Sequence, residues 1–411
     1  MSTRFAIVIP DGAADEPHPS LGGKTPLQAA DLPAMDAVAA AGLVGRSRNV
    51  PDRFLPASDV ATLSLLGYDP EVHYTGRAPL EAAAMGILLG PDDWAIRCNL
   101  MFVRDGRLTD FTAGHISSAE GRQLIEALQQ RLGRSDLEFH AGVSYRNLAV
   151  HRGARGNSPF SAETLTVAPH DHPDEPVAQL LPRGPGAPLL AELMDQAQEV
   201  LADHPVNHSR IRQGLPPANA IWLWGQGKSP SLPNFAARHG LRGAMISAVD
   251  LVRGVGQLAG WTRVDVPGAT GYLDTDYAAK GRYAVAALED HDLVCVHIEA
   301  PDEASHEGRG DAKVAALESI DRAIVGPLLE ALRSHDRWRI LISPDHSTLL
   351  RTRAHDRAPV VWAMAGTGLP PSGARYDEFA PQQSHGPFFE QGHRLMERFL
   401  DLDWNGGGSL A

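Results

Sequence analysis

Seven side chains of this 411-residue chain are of types that could together hold two divalent cations. They are carboxylates, imidazoles and one hydroxyl, each close to an apolar segment: Asp11, Ser58, Asp302, His306, Asp345, His346 and His355. Mixed oxygen and nitrogen ligands suit Zn or Mn better than Ca or Mg, which prefer oxygen ligands alone. The residue types therefore predict a two-metal centre.

Three apolar runs just before most of these residues predict the elements that position them. The runs cover 4–9, 293–298 and 338–342, and each is short enough for a buried strand. The carboxyl ends of parallel strands in an open α/β sheet open onto a common crevice. We therefore expect the carboxylates and histidines that follow these runs to meet at one edge of such a sheet.

Each of these motifs is weak by itself. The D-x-x-x-H spacing of Asp302 and His306 is usually a solvated turn, and the Asp345–His346 pair also suits a helix cap. The metal prediction depends on their conjunction, because four such elements each lie near a predicted strand end.

Ser58 has two interpretations, and both can hold together. At a helix start, backbone N–H groups and the helix dipole stabilise an oxyanion, and a bound metal would lower the pKa of the hydroxyl, so Ser58 could be a nucleophile. Serine is also a preferred N-cap residue. The segment 58–67 is predicted to be a helix that ends at Gly67, which places Ser58 at its start.

The predicted site residues come from both ends of the chain, and the segment between them has a different sequence pattern. From 75 to 215, helical and strand-like patterns alternate with Pro-, Gly- and His-rich loops. We predict an α/β core with a mainly parallel sheet, formed by 1–74 and 216–411 and including a strand at 220–224. A smaller α/β domain, 75–215, is predicted to be inserted into this core.

Composition excludes several classes of function. The formal net charge of −13, without any run of Lys or Arg, disfavours a nucleic-acid partner. No stretch approaches the roughly 18 apolar residues of a membrane helix, and the first apolar run is too short for a secretory signal. Cys98 and Cys295 are far apart, which favours buried thiols over a disulfide. We expect a soluble, cytoplasmic protein without a membrane partner; the sequence leaves its oligomeric state open.

Three arginines in or beside the predicted insert could bind an anion. Arg77, Arg97 and Arg146 stand next to strand or turn signals. An arginine in a cleft binds carboxylate or phosphate through two parallel hydrogen bonds. Taken singly, each of the three fits a surface ion pair better.

Eight strings in a specific order and spacing span nearly the whole chain: 10–12, 22–27, 58–70, 74–82, 97–99, 268–271, 300–306 and 345–348. In these strings the chain resembles the archaeal-type cofactor-independent phosphoglycerate mutases of the alkaline phosphatase superfamily. The resemblance implies an alkaline-phosphatase-like core with an inserted domain. It also implies a metal-dependent phosphotransferase that interconverts 2- and 3-phosphoglycerate without bisphosphoglycerate.

The resemblance further implies a role for each candidate residue. One metal would be held by Asp302, His306 and His355, and the other by Asp11, Ser58, Asp345 and His346. Ser58 would carry the phosphoryl group as phosphoserine, and the insert would act as a lid that excludes water. Mn is the expected metal, with Zn, Co and Mg as alternatives. Substrate would be bound by Arg77, Arg97 and Arg146, with His170 as a proton carrier and Arg253 as a further cation.

The chain departs from the mutase pattern in one region that bears on the substrate. Family mutases carry an arginine-rich string where this chain has 110–115, so that Phe111, Thr112 and His115 replace cationic residues. The strings at 110–117, 142–146 and 222–227 resemble a bacterial subgroup proposed to be a homoserine kinase. Phosphoryl transfer to homoserine is therefore the alternative, although no nucleotide-binding P-loop is found. A phosphomonoesterase and a non-catalytic metal-binding protein are the minor alternatives.

Overall fold

The computed structural model describes residues 3–154 and 158–404. The chain forms two compact units. The first unit comprises Met1–Tyr74 and Ser231–Ala411, and the second unit comprises Thr75–Pro230.

The strands form three sheets, two in the first unit and one in the second. In chain order, the strands are β1 (Thr3–Pro10), β2 (Leu43–Ser47), β3 (Trp94–Arg104), β4 (Arg107–Asp110), β5 (Leu137–Val143), β6 (Arg146–His151), β7 (Ala220–Lys228), β8 (Gly243–Ile246), β9 (Thr262–Arg263), β10 (Leu293–Ile298), β11 (Arg337–Ile342), β12 (Ser347–Leu349), β13 (Ala354–Asp356), β14 (Val360–Gly366) and β15 (Phe388–Phe389).

The α-helices, in chain order, are α1 (Pro26–Ala29), α2 (Pro33–Ala41), α3 (Ser58–Leu65), α4 (Pro70–His73), α5 (Arg77–Ala84), α6 (Ser118–Leu132), α7 (Val177–Leu180), α8 (Ala187–Ala202), α9 (Pro205–Arg212), α10 (Phe235–His239), α11 (Asp250–Leu258), α12 (Tyr277–Asp290), α13 (Ala300–His306), α14 (Gly310–Ile320), α15 (Gly326–Arg333), α16 (Ala380–Gln383) and α17 (Arg394–Leu400). Short 3-10 helices cover Pro19–Leu21 and Pro169–Asp171, and a π-helix covers Asp321–Val325. In the described part of the chain, no helix combines the length and the apolar character needed to span a membrane.

The first unit is built on an eight-stranded sheet in the order β15-β2-β14-β11-β1-β10-β8-β9. β1 pairs in parallel with both β10 and β11, and β10 pairs in parallel with β8. β14 is antiparallel to β11 and β2. The prediction of an α/β core with a mainly parallel sheet is therefore confirmed.

The central strand of this sheet forms from the apolar run that the sequence predicts. Residues Phe5–Ile9 of β1 are buried, and α2, α12 and α15 pack against the sheet around them. A strand covered on both faces has no polar face, which is why Phe5–Ile9 of β1 and Ile340–Ile342 of β11 are apolar, and β10 is apolar except for His297. The two neighbours of β1 are in register with it, with Ile9 opposite His297 and Val8 opposite Ile342.

β2 is among the strands of the first unit that the sequence did not predict. Two glycines at 42 and 45 suggest only a break after α2, yet β2 begins at Leu43 and pairs with β14. A Cβ at Gly42 would clash with the carbonyl oxygen of Met364 on β14. Gly42 ends α2 as its C-cap, as the sequence predicts, and it also permits the close approach of β14.

The second unit contains a five-stranded sheet in which every pairing is antiparallel. β3 pairs with β4, β6 and β7, and β5 pairs with β6. Helices α5, α6 and α8 pack on this sheet. The predicted boundary at 215/216 is wrong, because β7 completes this sheet through β3 and so extends the second unit to Pro230.

Candidate active site

Three adjacent strands of the first unit bring the predicted metal ligands to one edge of its sheet. β1 lies between β10 and β11, and all three strands run in the same direction. Asp11 follows β1 directly, Asp302 lies in α13 shortly after β10, and Asp345 and His346 follow β11. The side chains therefore meet where the carboxyl ends of the strands open, as in other open α/β sheets.

The first set of side chains, called here the Asp302 group, consists of Asp302, His306 and His355. His306 Nε2 lies 3.1 Å from Asp302 Oδ2 and 3.0 Å from His355 Nε2. The Nδ1 atoms of the two histidines face the carbonyl oxygens of Arg353 and Pro56, at 2.9 and 3.0 Å. Because each Nδ1–H donates to a carbonyl, the two Nε2 lone pairs point at each other and need a cation or a proton between them. This arrangement fits a metal ion.

The second set, called here the Asp11 group, consists of Asp11, Ser58, Asp345 and His346. Ser58 Oγ donates to Asp11 Oδ2 at 3.1 Å and lies 3.3 Å from His346 Nε2. His346 Nε2 also lies 3.6 Å from Asp11 Oδ1 and 3.5 Å from Asp345 Oδ2. Among the described residues, these two buried carboxylate oxygens have no hydrogen-bond partner. Buried carboxylates without donors are costly unless a cation is present, so this group also fits a metal ion.

The electrostatics of both groups reflect the crowding of carboxylates. Burial, together with the charges of Asp345 and Asp302, raises the pKa of Asp11 well above its usual value. Burial lowers the pKa of His346. Hydrogen bonds from His306 and His355 outweigh burial and hold the pKa of Asp302 well below its usual value, and the Asp302 carboxylate raises the pKa of His306 to about 9. Without a cation, bound protons would offset part of the charge of these carboxylates, and divalent cations could take over that role.

Ser58 is the first residue of α3, and the N-cap is Ala57, which has no side-chain capping bond. The capping interpretation of Ser58 is therefore wrong for this helix, because its hydroxyl is used by Asp11 instead. Ser58 keeps the favourable position at the N-terminus of α3, where the helix dipole stabilises negative charge.

Two residues of this region were missed by the sequence reasoning. His297 Nε2 lies 2.9 Å from Asp11 Oδ2, and its Nδ1 lies 3.3 Å from Ser247 Oγ. Glu299 Oε2 lies 3.8 Å from His297 Nε2. The available signal was a histidine inside the apolar run 293–298, since a fully buried polar residue in a central strand needs a partner. His297 contacts the same oxygen of Asp11 as Ser58 does, and so helps to hold that carboxylate in position.

Four of the predicted substrate residues come together in the second unit near Arg97: Arg77, Arg97, Arg146 and His170. The guanidinium carbon of Arg97 lies 4.2 Å from the Trp224 ring centroid, and the His170 ring lies 5.4 Å from it. Burial and the nearby charges of Arg77 and Arg146 lower the pKa of Arg97. Burial also lowers the pKa of His170, and the positive charges of Arg77 and Arg97 lower it further. Three arginines close to one another favour an anionic ligand.

Arg97 already has a carboxylate partner that the sequence did not reveal. Glu81 on α5 accepts hydrogen bonds from Arg97 Nε and Nη2, at 3.0 and 2.9 Å, and both side chains are largely buried. Arg97 does form an ion pair, but the expectation that the pair lies on the surface is wrong, because both side chains are largely buried in the second unit.

Arg253 belongs to the first unit, on α11. Its Nε donates to the carbonyl oxygen of Ser247 at 2.6 Å, and Nη1 lies 3.3 Å from Asp250. These contacts fix the guanidinium beside the strand end of β8.

An open, mainly parallel sheet that presents Asp, His and Ser side chains at its carboxyl edge is typical of an α/β enzyme. Comparison with known sequences identifies the family. A family model described as 2,3-bisphosphoglycerate-independent phosphoglycerate mutase matches residues 39–207. The protein of that name from Methanothrix thermoacetophila is 48% identical over 369 residues, covering 89% of this chain and 91% of the relative. A probable one from Geobacter sulfurreducens is 47% identical over 404 residues, covering 97% of this chain and 100% of the relative. The chain therefore belongs to the 2,3-bisphosphoglycerate-independent phosphoglycerate mutase family.

Solved structures agree with this assignment. A protein from Pyrococcus horikoshii has a TM-score of 0.82 and 28% identity, covering 100% of both chains. The cofactor-independent phosphoglycerate mutase from Thermoplasma acidophilum has a TM-score of 0.68 and 27% identity, covering 98% of this chain and 100% of that one.

Proposed function

We propose that this chain interconverts 2- and 3-phosphoglycerate without bisphosphoglycerate, through a phosphoserine at Ser58. One observation carries the proposal. The Ser58 hydroxyl lies at the start of α3, within 3.1 Å of Asp11 Oδ2 and 3.3 Å of His346 Nε2, among carboxylates and imidazoles of ligand type. The names of the relatives support the choice of substrate.

Two divalent cations are proposed as cofactors, one in the Asp302 group and one in the Asp11 group. When bound, they would stabilise charge on the transferred phosphoryl group and lower the pKa of the Ser58 hydroxyl. Manganese is the preferred candidate, because the ligands combine carboxylate oxygen with imidazole nitrogen; zinc, cobalt and magnesium are alternatives.

In the first half of the proposed reaction, Ser58 Oγ attacks the phosphorus of the substrate. The Oγ–P bond forms while the bond between phosphorus and the glycerate oxygen breaks, and the proton of Ser58 ends on that glycerate oxygen. The N-terminus of α3 favours the negative charge that develops on Oγ. Asp11 accepts the hydroxyl hydrogen bond in the resting state and so orients Oγ for attack.

In the second half, the other hydroxyl of glycerate attacks the phosphoserine. The new O–P bond forms as the Oγ–P bond breaks, and the hydroxyl proton of glycerate returns to Ser58. Glycerate must turn before this step without leaving, and water must be kept away, since attack by water would make the enzyme a phosphatase.

Arg77, Arg97, Arg146 and His170 are the proposed ligands of the substrate's anionic groups. Their proximity to Arg97 supports this role, because arginine binds carboxylate and phosphate through paired hydrogen bonds. Glu81 occupies two donors of Arg97, so only the remaining donors of that guanidinium could bind the substrate. Arg253 is a further candidate ligand from the first unit.

The replacement of arginines at 110–115 does not by itself favour homoserine. Within this loop, Asp110 accepts hydrogen bonds from the backbone N–H groups of Thr112 and Gly114, and Phe111 stacks at 6.1 Å from His170. The comparisons name phosphoglycerate mutases and give no support to homoserine as acceptor. A cytoplasmic location stays a prediction of the sequence.

The test is conversion of 3-phosphoglycerate by the Mn-loaded protein without added bisphosphoglycerate. Aliquots are treated with EDTA and freed of protein before phosphorus NMR, so that Mn does not broaden the signals. The proposal expects 2-phosphoglycerate to appear until equilibrium. A parallel reaction contains homoserine and ATP.

Three other results would contradict the proposal. Phosphohomoserine in the parallel reaction, with no 2-phosphoglycerate in the first, would show that homoserine is the phosphoryl acceptor. Free phosphate alone would indicate a phosphatase. A requirement for bisphosphoglycerate would replace the phosphoserine route with a different mutase chemistry.

A further inference from the structure

Thr348 lies between the two proposed metal groups. Its hydroxyl donates to Asp302 Oδ1 of the Asp302 group, and Thr348 Oγ1 lies 3.2 Å from His346 Nδ1 of the Asp11 group. The residue is completely buried. It lies in β12, directly opposite His355 in β13, so one short hairpin carries both residues.

The chemistry of the three groups fixes the direction of these two hydrogen bonds. An ionised carboxylate can only accept, so the Thr348 hydroxyl proton is directed to Asp302. The oxygen of the same hydroxyl then accepts from His346, which places the proton of that imidazole on Nδ1. His346 Nε2 is consequently a lone pair facing Ser58 and the carboxylates of Asp11 and Asp345, which is the form required of a metal ligand.

The surroundings of Thr348 are adapted to this arrangement. Gly12 has a positive φ of 61°, and a Cβ there would lie 2.5 Å from Asp302 Oδ1 and 2.6 Å from Thr348 Oγ1. The Gly12 N–H donates to Asp345 Oδ1 at 3.2 Å. Lys313 Nζ donates to the carbonyl oxygen of Thr348 at 2.8 Å and so fixes its backbone. The Thr348–Asp302 pair therefore occupies space that the turn after β1 leaves open.

We propose that Thr348 is a positioning residue that couples the two metal sites. Its hydroxyl orients Asp302 for one ion and sets the tautomer of His346 for the other. The inference rests on the proposed metal-binding roles of these two residues. Its distinctive consequence is that removal of one hydroxyl weakens the binding of both ions, although Thr348 itself ligates neither.

The experiment compares four variants in the full-length protein. Thr348→Val removes the hydroxyl with nearly unchanged shape, and Thr348→Ser keeps it. Thr348→Ala differs from the serine variant by the hydroxyl alone and serves if the valine variant fails to fold. Thr62→Val is the matched control, because Thr62 is a buried threonine of α3 whose hydroxyl lacks a hydrogen-bond partner among the described residues.

Binding of Mn is measured by titration calorimetry and metal content by elemental analysis, and the Co-substituted proteins are compared by visible absorption. Removal of a partner that orients a metal ligand typically costs about 10–100-fold in metal affinity. We expect a loss of this size at both sites for the valine and alanine variants, with changed Co spectra. The serine variant should stay within a few-fold of wild type, and the Thr62 variant should be unchanged.

Three results would overturn the inference while leaving the proposed function intact. The first is normal affinity at both sites in the valine variant, and the second is a loss of affinity at a single site. The third is an equal loss in the serine and alanine variants, which would indicate that packing rather than the hydroxyl is responsible. Failure of the wild-type protein to bind two ions would overturn the inference together with the metal-dependent function on which it rests.

Discussion

The two clusters of charged side chains differ in how their charges are balanced. In the first unit, the Asp302 and Asp11 groups bring carboxylates and imidazoles together, and two buried carboxylate oxygens have no hydrogen-bond partner among the described residues. In the second unit, Arg97 is paired with Glu81 and lies over Trp224. The first cluster is thus incomplete without cations, whereas the second contains part of its own counter-charge.

This difference leads to different expectations for substitution. Burying a charge without a partner is expensive, and burying it with a well-oriented partner is much less so. Changes in the first cluster should therefore alter metal content and the chemical step together. Changes in the second cluster should alter substrate binding or the stability of its unit and leave the metals in place.

The largest effect is expected for Ser58→Ala. Loss of the nucleophile removes the covalent route, and removal of such a residue can cost on the order of 10⁶-fold in kcat. Mutase turnover is measured in the Mn-loaded variant, and its metal content is determined in parallel. Ser64→Ala, at a buried serine of the same helix α3, is the control and should retain activity. Substantial turnover by the Ser58 variant would exclude the covalent mechanism.

For Asp302→Asn we expect a smaller loss of activity, caused by a loss of bound metal. The amide keeps the shape of the side chain but removes the charge that His306 and His355 face. We expect one ion per chain to be lost and activity to fall on the order of 10³-fold, since a metal supplies several kcal/mol of transition-state stabilisation. Asp321→Asn is the control, because Asp321 is a buried aspartate that accepts from backbone N–H groups of α2. Two retained ions in the Asp302 variant would show that this ligand assignment is wrong.

In the second unit, Arg77→Ala should raise the KM for 3-phosphoglycerate by about 10–100-fold, because a hydrogen bond to a charged group contributes about 1.5–3 kcal/mol. Metal content should be unchanged, which separates this cluster from the first. Arg122→Ala, at an exposed position of α6, is the comparison variant. An unchanged KM in the Arg77 variant would remove this residue from the substrate site.

Glu81→Gln should act mainly on stability. The change leaves the buried Arg97 guanidinium without its carboxylate, and breaking a buried ion pair costs about 3–5 kcal/mol. Denaturant unfolding of the variant should show this loss. A double change, Glu81→Gln with Arg97→Met, should recover part of it, since it leaves no unpaired buried charge. No recovery in the double variant would argue against the ion pair as the cause.

The smallest effect is expected for the pH dependence of stability, through the buried Lys280 of the first unit. Lys280 is fully buried, its Nζ lies 3.3 Å from the carbonyl oxygen of His297, and burial lowers its pKa from 10.5 to about 8. Between these two values the unfolded chain binds more protons than the folded one, so this residue makes the free energy of unfolding increase with pH. In EDTA-treated protein, Lys280→Met should show a weaker increase than wild type between about pH 8 and 10.5.

Lys24→Met, at an exposed position, controls for the loss of a charge. An identical pH dependence in wild type and the Lys280 variant would show that this lysine keeps an ordinary pKa in the folded protein.

The sequence was sufficient to predict the position of a residue where a local hydrophobic pattern and a chemically reactive side chain occur together. Asp11, Asp302, Asp345 and His346 could be predicted because each follows a short apolar run, and parallel strands deliver such residues to one edge. The bounds of β10 match the predicted segment 293–298. The mainly parallel core follows from the same runs.

The sequence was insufficient where the partner of a group lies far along the chain. The assignment of β7 to the core failed, because nothing local shows that its partner is β3. The pairing of Glu81 with Arg97 joins α5 to β3 in the same way. His297 was overlooked because a single histidine in an apolar strand has no periodic signal, and only the register with β1 places it beside Asp11.

The most direct test of the account is to find where the phosphoryl group resides during turnover. Mn-loaded protein is mixed with 3-phosphoglycerate, quenched in acid within the steady state and digested, and the peptide that contains Ser58 is analysed by mass spectrometry. The account predicts a fraction of chains phosphorylated at Ser58 and none in the Ser58→Ala protein. Formation of 2-phosphoglycerate by chains that never carry phosphate on Ser58 would contradict it.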